Sequence, residues 1–331
     1  SPAEPNVYAG LMAAHLRRRN YTGVASIAAR VPHDALTPKM HAMLAASSAH
    51  RGHLDEALGH LRQMPEPAAD DAHGALAPGL AAQILGLAAR DQRVSTTTQE
   101  LQRLRAKLES RHLDDLVAAE ARRRGLAAAL EILEAGTALN VPKGPGAYQA
   151  LAGALAQASN KAGFRALLED LEAEAKFVPA GVAVGEPLAI ALLDACKVMR
   201  EIEFVPRVAE LHQTACAGAP GGKVLAATCS AMVACDQAEA ACDFYDRQMV
   251  PKGALPDAVL TGCLMKAAAS LGRTELAQRL SDHAASARCT APASAGGGSS
   301  SELQRHATMI KAYARERDLK GATNVFNKLK A

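Results

Sequence analysis

Tryptophan is absent from this 331-residue chain, and tyrosine and phenylalanine number five each. So few aromatics exclude an aromatic-rich β-sandwich and an RNA-binding sheet that stacks bases on its own rings. A charge excess is lacking too. Lys and Arg number 37 against 34 Asp and Glu, a formal net charge of +3, so any basic footprint has to be local. No uninterrupted apolar run approaches the roughly 18 residues that a membrane-spanning helix needs. The best stretch, Val178 to Cys196, is broken by Glu186, Pro187 and Asp194, so no membrane partner is expected. The seven cysteines all fall between Cys196 and Cys289 without a CxxC pair, which fits reduced thiols in a cell or organelle interior better than a disulfide framework. The chain opens at Ser1 with no charged and then apolar leader, so a targeting segment is expected to be absent or already removed.

What is present is alanine and periodicity. YAGLMAAHLRRRNYTGVASIAARVP, from Tyr8 to Pro32, and HAMLAASSAHRGHLDEALGHLRQMP, from His41 to Pro65, share one pattern. An apolar helix meets a basic or polar break, then a second helix ends at proline. The frame returns from Ala147, Leu188, Leu225, Leu260 and His306, with weaker units at Ala81 and Leu113. The expected fold is therefore all-α: a single solenoid over residues 1–331 of about nine helix-turn-helix repeats of about 35 residues each. Repeat boundaries are expected near 6–37, 38–76, 77–109, 110–144, 145–185, 186–221, 222–257, 258–289 and 303–331. Residues 290–302 read as a flexible Gly/Ser insertion, and Pro65 to Gly74 as a polar loop. Ala57, Ala129, Ala241, Ala277 and Ala322 are placed for close helix crossing. The last unit has no helix after it to cover Val325 and Leu329, so the chain is expected to be a fragment or to dock a protein partner there.

GHLDEALGHLRQMP (Gly52 to Pro65), TMIKAYARERDLKGATNVFNKLK (Thr308 to Lys330) and the Pro256–Asp257 pair resemble the pentatricopeptide repeat motif, and the resemblance covers nearly the whole chain. It implies a right-handed superhelix of helical hairpins, in chloroplasts or mitochondria, that holds single-stranded RNA in a concave groove. It also implies base-facing residues on the first helices, of which Gln83 and Thr308 are the polar candidates here. The equivalent Gly10, Ala150, Ala191 and Ala227 are small, and the partner positions carry Pro38, Pro78 and Glu186 where the family has mainly Asp or Asn. Base-by-base reading is therefore not expected. Near the ends of the first helices, where the family places residues that reach phosphates, stand Arg17, His50, Arg90, Arg122 and Arg315, with Gln157, Val198, Ala234 and Ser270 between them. Flanking Arg18, Arg19, Arg51, Arg123 and Arg124 thicken the stripe. Arginines stacked at one repeat position would give salt-dependent, sequence-tolerant affinity, although basic helix ends also complement the helix dipole.

Other chemistry is not expected. His41, His50, His53 and His60 lack the ligand spacing of a zinc site. Cys229, Cys235 and Cys242 read as small core residues. In GAPGGKV, Ala217 and Val224 occupy the positions that a phosphate loop gives to its first glycine and its Ser/Thr. Gly144 and Gly146 lack the third glycine of a dinucleotide fingerprint, and Asp70, Asp71, Asp114 and Asp115 read as a loop and a helix start. No catalytic group, metal or cofactor is expected. The leading expectation is a non-enzymatic organellar RNA-binding protein acting in RNA processing, stability or translation. The alternative is a protein-binding scaffold such as a structural subunit of an organellar ribosome.

Overall fold

The computed structural model describes residues 5–32, 35–67, 76–177, 184–215, 220–289 and 298–330. All regular structure among them is helical. In chain order the helices are α1 (Pro5–Arg17), α2 (Tyr21–Ala28), α3 (Pro38–Arg51), α4 (Leu54–Arg62), α5 (Pro78–Arg90), α6 (Val94–Arg103), α7 (Ser110–Arg124), α8 (Leu126–Ala138) and α9 (Pro145–Gln157). They continue with α10 (Lys161–Phe177), α11 (Glu186–Met199), α12 (Phe204–Ala215), α13 (Gly222–Ala234), α14 (Ala238–Phe244), α15 (Ala258–Leu271), α16 (Thr274–Cys289), α17 (Gly298–Arg315) and α18 (Leu319–Lys330). Odd and even helices alternate as the first and second arms of helical hairpins. The chain divides into two compact units, residues 1–154 and 155–331.

Eight of the hairpins close in the same way. Arg19, Gly52, Gln92, Ser159, Arg200, Asp236, Gly272 and Arg317 all have φ between 50° and 84°. In each case the next residue donates its N–H to the carbonyl five residues earlier, at 2.8–3.1 Å, as in Asn20 to His15, Arg93 to Ala88 and Asp318 to Tyr313. This closure satisfies first-helix carbonyls that would otherwise lack partners. Glycine adopts the left-handed conformation without steric cost, which suits Gly52 and Gly272. The other six positions bear the Cβ penalty.

The second helix then starts on a side-chain cap in three hairpins. Asn20, Asn160 and Asp318 each accept from the N–H of a glycine three residues on, Gly23, Gly163 and Gly321, at 2.9–3.0 Å. A Cβ at those glycines would collide with His15, Leu155 and Tyr313 of the first helix. At the next position Ala57, Ala129, Ala241 and Ala277 are fully buried, and Ala322 is half-buried. Small side chains at the crossing let the two arms approach closely.

Within the first unit α1, α3, α5 and α7 pack in succession, as do α4, α6 and α8. The second unit repeats this arrangement, with α11, α13, α15 and α17 in one row and α10 against α12. Neighbouring helices therefore share aliphatic interiors, which short helices need for stability. Met12, Val24 and Met40 fill the first hairpin contact, while Leu225, Tyr245, Leu264 and Leu280 belong to one cluster of the second unit. Phe164 and Phe204 are fully buried and meet edge to face at 5.3 Å.

Two expectations are corrected. Val325 is not left uncovered but packs into the core; Leu303, Leu319 and Phe326 are exposed apolar residues of the last hairpin. The Gly/Ser insertion does not extend to 302, because residues 298–302 form the start of α17, whereas 290–297 lie outside the described residues. Most of the polar loop after Pro65 also lies outside them.

Candidate nucleic-acid interface

The C-terminal turns of the first helices in unit 1 carry the chain's basic candidates. Arg17 ends α1, His50 lies in the last turn of α3, Arg90 ends α5 and Arg122 lies in the last turn of α7; all four are exposed. Arg17 and Arg90 form no ion pair or hydrogen bond with a described residue, and Arg122 donates only to the Ala118 carbonyl of its own helix, at 3.1 Å. Three guanidiniums at equivalent positions are thus without carboxylate partners among the described residues.

Their neighbours are committed. Arg51 pairs with Glu56 at 2.6 Å, and Ser48 also donates to that carboxylate. Burial works against ionisation of Glu56, but the Ser48 hydrogen bond and the Arg51 charge outweigh it and hold the carboxyl below its usual range. Arg123 pairs with buried Glu120 at 2.5 Å, while Arg124 reaches that carboxylate at 3.7 Å and donates to the Ala89 carbonyl of α5. Arg315 has the same task as Arg124 one unit on: it donates to the Ser270 carbonyl of α15. A long arginine from one repeat thereby caps the C-terminal carbonyls of the preceding first helix. Arg18 and Arg19 remain exposed beside Arg17.

His50 and Gln83, singled out separately in the sequence, come together. Gln83 Nε2 donates to His50 Nδ1 at 2.9 Å. Tyr21, at the start of α2, stacks on the His50 ring with centroids 4.7 Å apart and planes 16° from parallel. Ser47 fixes the Tyr21 backbone by donating to its carbonyl at 3.0 Å. Nothing in the sequence marks Tyr21, because its ring partner is distant in the chain. Thr308 is half-buried in α17.

The second helices carry a different pattern of charge. Arg62 of α4 pairs with Glu100 of α6 at 3.1 Å, and Arg93 with Asp55. In unit 2 Arg165 pairs with Glu203, Arg207 with Glu172, Arg273 with Asp243 and Arg279 with Asp246, at 2.6–2.8 Å. The hydrogen bond from Arg273 and its charge hold the Asp243 carboxyl below the usual range. At the first-helix position that bears Arg17 and Arg90 in unit 1, α11, α13 and α15 present Val198, Ala234 and Ser270. A cleft of about 410 Å³ lies on the same helices, lined by Asp194, Lys197, Lys223, Ser230, Asp257 and Val259 among others.

The remaining candidates have structural roles. Asp114 is not at a helix start: from the second turn of α7 it accepts from Gly144 N and Gly146 N at 3.0 and 3.1 Å, clamping the turn before α9. Gly222 to Val224 open α13. His41 and His60 rings lie 5.9 Å apart, away from the His53–Glu56 contact, and no group of three potential metal ligands converges among the described residues. Cys196, Cys229, Cys235, Cys242 and Cys263 are free thiols. Burial pushes Cys196 and Cys229 up to about 12, far from the range of a reactive thiolate. Among the described residues no helix is long and apolar enough to cross a membrane.

No protein-family model and no curated protein matches this chain. Among solved structures it is similar to the pentatricopeptide repeat protein PPR10 from maize, at 14% identity over 98% of this chain and 54% of that one, with a TM-score of 0.39. PPR10 in complex with an 18-nt psaJ RNA element matches at 13% identity over 94% and 53%, with a TM-score of 0.36. The chain spans about half the length of these proteins.

Proposed function

We propose that this chain is a non-enzymatic binder of single-stranded RNA that holds the strand mainly by its phosphates, along the first-helix ends of the first unit. The observation that carries this reading is the set of exposed guanidiniums at Arg17, Arg90 and Arg122, unpaired with carboxylates among the described residues, in a protein whose other inter-repeat charges are largely paired. A cation that already has a carboxylate gains little from a phosphate, whereas a solvated one releases counterions from the strand. Arg315 contributes less, since its guanidinium is engaged with Ser270. At the equivalent first-helix positions of unit 1, Gly10 offers no side-chain hydrogen bond to a base edge and Gln83 is engaged with His50, so binding is sequence-tolerant. The proposed setting is a chloroplast or mitochondrion, with a role in RNA processing, stability or translation.

The test is a titration of the chain with a short single-stranded RNA across a range of salt concentrations. Log affinity should fall linearly with log salt, and replacing Arg17, Arg90 and Arg122 together by Ala should lower the slope by about 0.7 for each lost contact. Absence of binding at low salt overturns the proposal. A protein-binding scaffold is the second reading, favoured by Leu255 and Val259, which are 70% and 75% exposed beside the cleft of unit 2. Partner capture that survives ribonuclease would favour it.

A further inference from the structure

The stacked pair Tyr21–His50 has a geometry that neither the fold nor phosphate contact requires. One face of the imidazole lies on Tyr21 at 4.7 Å, and its Nδ1 is held by Gln83 at 2.9 Å. His50 is nevertheless exposed. With one face and one edge occupied, the surface it offers to solvent is the opposite face and the remaining edge. The ring is therefore a flat platform held from three successive hairpins: Tyr21 from the first, His50 from the second and Gln83 from the third.

Its place in the row of helix ends matters. Arg17 and Arg90 occupy the equivalent position on the helices packed to either side of α3, and neither has a partner among the described residues. Axes of packed helices lie about 8–10 Å apart, so the platform is flanked by cations within a few nucleotides' reach. A strand drawn to those cations would pass a ring whose open face is apolar and immobilised. Every nucleobase has a π-face that such a surface can receive, irrespective of its hydrogen-bonding edge.

We infer that the open face of His50, backed by Tyr21 and fixed by Gln83, is a stacking site for one unpaired nucleobase of the strand held by Arg17 and Arg90. This rests on the phosphate-binding reading above and adds to it a single base-dependent step. Tyr21 and Gln83 act as positioning residues; His50 makes the contact.

The experiment compares two oligomers of equal length, an adenosine homopolymer and its abasic ribose-phosphate counterpart, on the wild-type chain and on His50→Ala and His50→Phe variants. The wild type should bind the adenosine oligomer more tightly than the abasic one. His50→Ala should weaken adenosine binding by about 5- to 150-fold, the range expected for loss of one base–aromatic stack, and weaken the abasic oligomer far less. His50→Phe keeps a flat face and should retain the preference for bases, which separates stacking from any effect of alanine on folding. Equal binding of the two oligomers by the wild type, or an equal loss on both in His50→Ala, overturns the stacking site and leaves phosphate binding standing. If the wild type binds neither oligomer at low salt, both readings fall.

Discussion

The two units are built from the same hairpin and differ in what their first helices leave uncommitted. In unit 1 the last turns of α1, α5 and α7 carry Arg17, Arg90 and Arg122 without carboxylate partners among the described residues, and the last turn of α3 carries a stacked histidine. In unit 2 the equivalent sites on α11, α13 and α15 are Val198, Ala234 and Ser270, and cations on the second helices are joined to carboxylates of the neighbouring hairpin. Repeat architecture sets where a side chain sits. Pairing decides whether its charge is available to a partner. Exposed ion pairs stabilise by about 0–1 kcal/mol each, so the ladder of unit 2 contributes to neighbour register more than to global stability.

The comparison can be broken first from the inside. Phe164 and Phe204 form an aromatic contact between second helices in unit 2. Phe164→Ala should cost about 3–5 kcal/mol, measured by chemical denaturation, with amide exchange accelerated chiefly around α10 and α12 because stabilising contacts in repeat proteins run between neighbours. An effect below about 1 kcal/mol would show that this contact is not a continuous interior. The second perturbation moves charge rather than volume. Introducing Val198→Arg, Ala234→Arg and Ser270→Arg should steepen the salt dependence of RNA affinity by up to about 0.7 per added contact. An unchanged slope would mean that the first-helix ends of the two units are not equivalent as binding surfaces. The smallest effect concerns the turns that both units share. Ser159→Gly and Arg317→Gly relieve a left-handed residue at the hairpin closure and should each stabilise by up to about 1 kcal/mol, seen as a higher denaturation midpoint at constant m-value.

Much of the architecture was legible because a period of about 35 residues leaves a mark wherever apolar faces must meet. The alanines at 57, 129, 241 and 277 could be placed from that period alone, since a tight helix crossing selects residue size. The closures were not legible. Their left-handed positions are occupied by Arg19, Gln92, Ser159, Arg200, Asp236 and Arg317 as well as by Gly52 and Gly272, so a search for glycine finds only some of them. The site was half legible: His50 and Gln83 stand out singly, but the contact between them joins residues one repeat apart, and Tyr21 enters only through the packing of α2 on α3. Pairing also escapes the sequence. Arg122 and Arg124 look alike as letters, yet one has no carboxylate partner among the described residues and the other caps α5 and reaches Glu120.

The recurrent bond from the residue after each left-handed position back to the carbonyl five before it has a genealogical consequence. Most bends close on a backbone bond that spans six residues, so a whole period carries its own closure when it is copied or excised. Such a chain can change its reach by duplication, and the copies are then free to drift apart in charge.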